Sequence, residues 1–454
     1  MKTNFNRVMI AGTGSGCGKT TVTCAILKAL KNRGLNVTSF KCGPDYIDPM
    51  FHSEIIGTKS RNLDMFLCGE EITKYLFAEN SRESDISIIE GVMGFYDGLG
   101  IRNSKYSSNY ISNETDTPVV LVVGCAGMAL SIAAMVKGYT DFYKNNIKGV
   151  IINGASEKMY PIYKEIIESN TGVKTLGFLP KIKEASIESR HLGLVTASEI
   201  DSLNHKIDLL GENGEKYIDI DGLLEIAKEA PAMECDNIEI EKGEPVTIGV
   251  AKDKAFCFYY EDSLQLLKKM GAKIVTFSPL NDEKIPEGIN GIILGGGYPE
   301  VFAEKLSKNK SMLNSIKTAI TEGMPVYAEC GGFMYLGNTI KDESELEYEM
   351  VGAIDMKSEL TKRLQNFGYT TLKAKGDNLL AKEGWGINAH EFHYSKSNDD
   401  GDDFKAVKPS TGVERNCIHG SETLFAGYPH LHLWANIDFA KRYIEKCREY
   451  ELKK

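Results

Sequence analysis

Two rhythms of hydrophobic residues alternate along this chain. Short apolar runs at 8–11, 37–41, 86–90, 119–123, 150–153 and 175–179 read as buried strands. Patterns with a 3.6-residue period, over about 19–31 and 129–143, predict amphipathic helices between them. Strands alternating with helices predict βαβ units and a mostly parallel sheet, an α/β fold whose ligands sit beyond the carboxyl ends of the strands.

After a helical pattern over 218–230, the segment 231–245 (PAMECDNIEIEKGEP) is polar, bracketed by Pro231 and Pro245, and without period. It is the expected linker between domains at 1–230 and 246–454. A second α/β series follows: strand 246–251, helix 260–270, strands 273–277 and 291–294, helix 303–321 and strand 326–329. Strand signals dominate from 350 to about 394, and the SNDDGDD stretch at 397–403 reads as a solvated loop.

The first strand runs into Gly-Thr-Gly-Ser-Gly-Cys-Gly-Lys-Thr-Thr, residues 12–21, and a helix opens there. Gly12, Gly14, Gly16 and Gly18 let the backbone curl so that its N–H groups point at phosphate oxygens. Lys19 reaches the terminal phosphates, the Thr20 hydroxyl is a candidate Mg²⁺ ligand, and Thr21 completes the loop. Five residues separate Gly12 from Gly18, one more than the usual phosphate loop has. This longer form resembles dethiobiotin-synthetase-like ATP enzymes, which activate carboxylates. Glu90, at the carboxyl end of a strand, suits a carboxylate that holds Mg²⁺. Asp45 and Asp48, after the second strand, are expected to face the same crevice, as Mg²⁺ ligands or simply as turn residues.

In the second half, an apolar strand runs into Glu329-Cys330-Gly331-Gly332 and a helix-like run. Small residues after the cysteine allow a tight turn that presents its sulfur, and a helix N-terminus favours the thiolate. A thiolate, a histidine to shuttle its proton and N–H donors for an oxyanion together hydrolyse glutamine. Gly331 is a natural oxyanion donor, and the Gly295-Gly296-Gly297 run offers the second, assigned to Gly296. The base lies in His430-Leu431-His432, whose two histidines the residue pattern does not separate. Glu329 reads equally well as a solvated strand end.

Composition narrows the setting. The 454 residues, 42% hydrophobic and 26% charged, suit two globular domains. A formal charge of −10 with no basic tract argues against binding to nucleic acid or an anionic membrane. No apolar run is long enough to span a bilayer, and nothing resembles a signal peptide, so a cytoplasmic protein is expected. The ten cysteines include no Cys-x-x-Cys pair, which speaks for reduced thiols and against zinc or iron–sulfur binding.

Taken with KCGPDYIDP (41–49), EGVMGFYDG (90–98), KDKAFCFYYEDSL (252–264), LGGGYPE (294–300) and AECGGFMYL (328–336), these features resemble the cobyrinate a,c-diamide synthase family over nearly the whole chain. The resemblance implies a P-loop ATP domain followed by a class I glutamine amidotransferase domain. It also implies ATP and Mg²⁺ as cofactors, and glutamine and cobyrinic acid as substrates. The implied reaction forms acyl phosphates on the a and c acetates and displaces them with ammonia. His432 is implied as the base over His430. The glutamate that triad enzymes carry two residues later is Trp434 here, so a Cys–His dyad is expected. Asp45, Tyr46 and Asp48 are implied to place the substrate. Phe256, Phe258, Tyr259 and Tyr260 are candidates for a flat apolar surface under the ring at the domain interface. Two rivals stand beside this reading: the same amidation on nickel-sirohydrochlorin, and a partitioning-type ATPase switch with an inert second domain.

Overall fold

The computed structural model describes residues 2–185 and 197–453. The chain divides into two compact units, Met1–Met65 with Gly69–Ile238, and Phe66–Cys68 with Glu239–Lys454. The division falls within 231–245, part of which forms a short strand, Met233–Glu234, paired antiparallel with Lys2–Thr3.

The first unit is built on a seven-stranded parallel sheet. Across it the strands run Lys59–Leu63, Val37–Cys42, Ile86–Glu90, Arg7–Gly12, Val119–Gly124, Ile147–Asn153 and Lys174–Leu179. Six of these match the apolar runs. Because side chains alternate across a strand, Val8 and Ile10 join one core with Val22 and Ile26, while Met9 and Ala11 join another with Phe40 and Ile89. Both faces of the sheet are therefore covered, as a parallel sheet requires. The seventh strand, Lys59–Leu63 (KSRNL), lies at one edge and carries no apolar run, with only Ser60 and Leu63 buried. Asn62 there donates to the carbonyls of Gly43 (2.9 Å) and Asp45 (2.7 Å) and so fixes the loop after Val37–Cys42.

The second unit has a six-stranded sheet ordered Ala272–Phe277, Val246–Ala251, Gly291–Leu294, Val326–Glu329, Leu424–Gly427 and His419–Gly420. Its first five strands are parallel and the last is antiparallel. A five-stranded antiparallel sheet follows, ordered Glu414–Cys417, Phe404–Val407, Asn366–Ala374, Gly386–His393 and His430–Leu431. A smaller four-stranded sheet completes the strand-rich region. The helix expected over 303–321 is two helices, Ala303–Lys308 and Lys310–Thr321. Asn309 breaks it: its side-chain oxygen caps Met312 N–H at 3.3 Å while its amide donates to the Pro279 (2.9 Å) and Asp282 (2.8 Å) carbonyls. No helix among the described residues is long and apolar enough to cross a membrane, and all ten cysteines are free thiols.

Arg7 is the largest fully buried side chain of the first unit. Its guanidinium donates to the carbonyls of Phe5, Thr115, Asp116 and Pro231, the last at 2.7 Å, and so ties the departing chain to the first strand. Burial lowers its pKa to about 10, which leaves it charged at neutral pH. Arg7→Met should orphan these carbonyls and destabilise the first unit by about 2–4 kcal/mol. A drop of several degrees in the thermal midpoint is the expected readout, and an unchanged midpoint would rule out this tie.

Candidate functional site

The phosphate loop is shaped by its glycines and braced from outside. Gly16 and Gly18 have φ of 78° and 90°, in the left-handed region. A Cβ on Gly18 would stand 1.9 Å from Asn153 Nδ2, which donates to the Cys17 carbonyl at 3.0 Å. Asn153 is thus a loop-shaping residue that the sequence reading did not single out. Gly12 closes the strand against Cys17, whose sulfur would lie 2.5 Å from a Cβ there, and Gly14 borders open space. Lys19 is nearly buried and donates to the Met93 carbonyl at 3.3 Å. Thr20 donates to Glu90 Oε1 at 2.6 Å, so the expected cation ligands, one in the first turn of the helix and one at a strand end, stand together. Thr21 is half-buried in the first turn of the helix.

Behind this loop lies a buried charge cluster centred on Lys41, which was not among the candidate residues. Its ammonium contacts Glu90 Oε1 at 2.8 Å and the Asp48 carboxylate. The Nε2 of fully buried His52 is 3.3 Å from Glu90 Oε2. Burial alone would raise the Glu90 pKa, but Lys41 and His52 outweigh it and hold the carboxyl well below the usual carboxylate range. Asp48 is pushed up to about 6, by burial first and then by the Glu90 charge, with Lys41 opposing. Asp45 is turned onto the backbone instead, where it accepts from Ile47 N–H at 2.8 Å and more weakly from Asp48 N–H. Tyr46 immediately precedes the short helix Ile47–Phe51 and makes no side-chain capping bond to it. Asp48 and Glu90 therefore share one crevice, while the Asp45 carboxylate shapes a turn.

In the second unit, Val326–Glu329 delivers Cys330 at φ 45°, ψ −102°, after which the short helix Gly331–Leu336 begins. Such a conformation costs a side chain about 1–3 kcal/mol, and the Cys330 amide, donating to Gly427 O at 2.7 Å, helps to hold it. The two glycines that follow are sterically required. A Cβ on Gly332 would lie 2.1 Å from the Leu294 carbonyl, and one on Gly331 would lie 2.8 Å from Pro299 Cδ and 3.1 Å from Gly297 N. That second contact sets the amide of Gly297 beside Gly331. Gly296 has a different task, since a Cβ there would come 2.5 Å from His430 Cε1, and its carbonyl accepts from Cys257 and Phe258.

His430, rather than His432, is the imidazole that the fold brings to Cys330. It is hydrogen-bonded to the thiol, and its Nδ1 lies 3.4 Å from Glu329 Oε2. Burial works against its charged form, yet the bonds to Cys330 and Glu329 prevail and push its pKa up to about 10. His432 packs against Tyr260, its ring tilted by 37° and the centroids 4.8 Å apart; burial lowers its pKa to about 3, and its Nδ1 has no hydrogen-bond partner. The cause is the backbone just beyond. Leu433 N–H donates to Ser263 Oγ at 2.9 Å and Trp434 Nε1 to the Asp262 carbonyl at 3.0 Å, which draws the chain from His432 onward against the helix Glu261–Lys269. Glu329 is no solvated strand end: it is buried and accepts from Leu431 N–H at 2.8 Å and from the Tyr327 hydroxyl.

Residues 8–195 match the CobQ/CobB/MinD/ParA nucleotide binding domain, and residues 247–437 the CobB/CobQ-like glutamine amidotransferase domain. The cobyrinate a,c-diamide synthase of Caldanaerobacter subterraneus subsp. tengcongensis is 42% identical over 97% of this chain and 98% of that protein. The Clostridium tetani and Thermoplasma volcanium proteins of the same name are 44% and 41% identical, over 97% and 99% of this chain and 99% and 98% of their own lengths. The chain belongs to the cobyrinate a,c-diamide synthase family. Within that family's amidotransferase domain, the aromatic run at 256–260 does not form the flat surface expected of it. Phe256 and Tyr260 are core residues. The Tyr259 hydroxyl donates to the Ala251 carbonyl and accepts from Gly295 N–H at 2.9 Å, so it clamps the glycine loop. Phe258 packs edge-on against Tyr298, with ring centroids 5.1 Å apart.

Two outcomes follow from these contacts. His430→Asn should slow alkylation of Cys330 by iodoacetamide at pH 7 by about tenfold or more, read by peptide mass spectrometry, while His432→Asn changes it far less. Equal effects would refute the pairing. Lys41→Met should strand Glu90 and Asp48 without their counter-charge, at about 3–5 kcal/mol of stability. Thermal unfolding checks this, and a midpoint within a degree of the parent would overturn it.

Proposed function

We propose that this chain is an ATP-dependent, glutamine-hydrolysing ligase that amidates the a and c acetate carboxylates of cobyrinic acid in cobalamin biosynthesis. The observation that carries this reading is the likeness to cobyrinate a,c-diamide synthases from end to end, 42% over 97% of the chain, with a phosphate loop in one unit and a paired thiol in the other.

In the amidotransferase unit, Cys330 attacks the glutamine carboxamide carbon. The oxyanion is met by the Gly331 N–H and by the neighbouring Gly296–Gly297 loop, nearest through the Gly297 amide. His430, oriented by Glu329, takes the thiol proton and returns it to the departing amine, so ammonia leaves and a thioester remains. Water then releases glutamate and restores the thiol. In the nucleotide unit the phosphate-loop N–H groups and Lys19 hold ATP while its γ-phosphoryl passes to a substrate carboxylate. Ammonia displaces phosphate from the resulting acyl phosphate and leaves an amide. Expelling phosphate in place of oxide is what makes a carboxylate reactive.

Mg²⁺ fits the donors present. The Thr20 hydroxyl and the Glu90 carboxylate are hard oxygens 2.6 Å apart. Nucleotide-bound Mg²⁺ needs only one or two protein ligands beside phosphate and water. When bound, it would neutralise charge on the phosphates, with Thr20, Glu90 and Asp48 as its supports.

The test is amidation of cobyrinic acid followed by mass spectrometry. Cys330→Ala should lose glutamine-dependent amidation by at least about 10³-fold yet keep it with ammonium. Lys19→Ala should lose both, with folding of each variant verified by circular dichroism. Loss of the ammonium reaction in Cys330→Ala would refute separate sites, and an unmodified corrinoid with the parent protein would refute the substrate.

A further inference from the structure

The antiparallel sheet of the second unit exposes an aromatic face that the chemistry above does not use. Phe367 and Phe392 are cross-strand partners, 54% and 49% exposed, with ring centroids 5.6 Å apart. Tyr394 continues the row at 5.9 Å from Phe392 and is 44% exposed. Single exposed aromatics are ordinary, but three in contact on one face mark a binding surface. The adjoining turn carries Lys362, Arg363 and Leu364, all exposed. It is latched to the face by the Thr361 N–H, which donates to the Tyr394 carbonyl at 3.0 Å, and by Gln365 N–H, which donates to the His393 carbonyl, also at 3.0 Å. Neither Lys362 nor Arg363 is in an ion pair among the described residues.

Register ties this face to the reacting centre. His430 pairs with His390, and His390 with Tyr369, so the three share a row across the sheet. Phe392 and Phe367 form the next row on the same side, one two-residue step along, or about 7 Å at strand rise. The inner end of the face is covered by Phe66, of the same compact unit, whose ring lies 4.3 Å from that of Tyr369. The outer end is open.

We propose that this face is the docking surface for the substrate macrocycle, a flat apolar tetrapyrrole rimmed by carboxylates. The inference rests on the function proposed above. Phe367, Phe392 and Tyr394 supply apolar contact to one side of the ring, and Lys362 and Arg363 meet carboxylates at its edge. Charge complementarity selects this occupant, since a purely apolar partner would leave the two cations desolvated and unpaired. A ring seated here has its periphery within one strand row of the imidazole that serves ammonia release.

Cobyrinic acid, followed by its own visible absorption, is the probe, and the full-length protein is titrated with it. Phe392→Ala and Arg363→Glu should each raise the corrinoid Kd and KM by about tenfold, with glutamine hydrolysis and the KM for ATP unchanged. Unchanged glutaminase activity also shows that the variants are folded. Binding to the parent should weaken with added salt, and less so in Arg363→Glu. Variants that bind and amidate the corrinoid as the parent does would overturn the assignment while leaving the proposed function intact. A parent that amidates no cobyrinic acid would defeat that function instead. A changed sedimentation coefficient with unchanged corrinoid affinity would also overturn it, by giving the face to a second copy of the chain.

Discussion

The backbone of Cys330 is held where few side chains go, and much of the second unit can be understood as what keeps it there. With φ at 45° the thiol stands at the crest of a turn between strand and helix. The Cys330 amide is fixed by the Gly427 carbonyl at 2.7 Å, and the Gly332 amide by the Gly295 carbonyl at 3.0 Å. Gly295 is fixed in turn by the Tyr259 hydroxyl, which leans on Ala251. Four neighbouring strand ends are thereby joined through one turn. An over-determined turn can hold strain of about 1–3 kcal/mol because relaxing it would break several buried hydrogen bonds together.

Each unit also buries a carboxylate, and in each the desolvation cost is offset in a different way. Glu90 is met by the ammonium of Lys41 and the imidazole of His52, so it stays ionised. Glu329 is met by a backbone amide, a tyrosine hydroxyl and His430. A buried ion pair is weak support for stability, because hydrophobic residues of the same volume often do as well. It is stronger support for a site, where a charge must be kept in place without water. The two clusters lie at strand carboxyl ends, where parallel sheets present their ligands.

Much of this was legible beforehand, and the misses share physical causes. The parallel strands and the phosphate loop could be read because continuous apolar runs and a glycine-rich turn are local signals. The edge strand Lys59–Leu63 could not, since its sequence carries no apolar run and only Ser60 and Leu63 in it are buried. Asn309 interrupts an otherwise continuous helical pattern by bonding to residues about 30 positions away, which no window of local sequence contains. Lys41 and Asn153 were passed over for a similar reason. A lysine within a strand reads as a snorkelling surface residue until its buried counter-charges, 7 and 49 positions distant, are known. The tyrosine at 259 looked like part of an aromatic platform, but its hydroxyl had a nearer use.

The histidine pair shows the limit of pattern most clearly. Residues two apart on a strand share a face, so His430 and His432 are equivalent until the strand is seen to end at Leu431. Triad amidotransferases keep a glutamate two residues after the histidine, and a tryptophan stands there in this chain. The carboxylate that faces His430 comes instead from the residue before Cys330. Glu329 Oε1 accepts from the Leu431 amide at 2.8 Å while Oε2 faces His430 Nδ1 at 3.4 Å. One carboxylate therefore fixes both the backbone that carries the imidazole and the ring itself. Because Glu329 adjoins Cys330 in the chain, any shift of the nucleophile's strand carries the orienting acid with it. Imidazole and carboxylate thus keep one register beside the thiol, an arrangement the sequence pattern alone does not show.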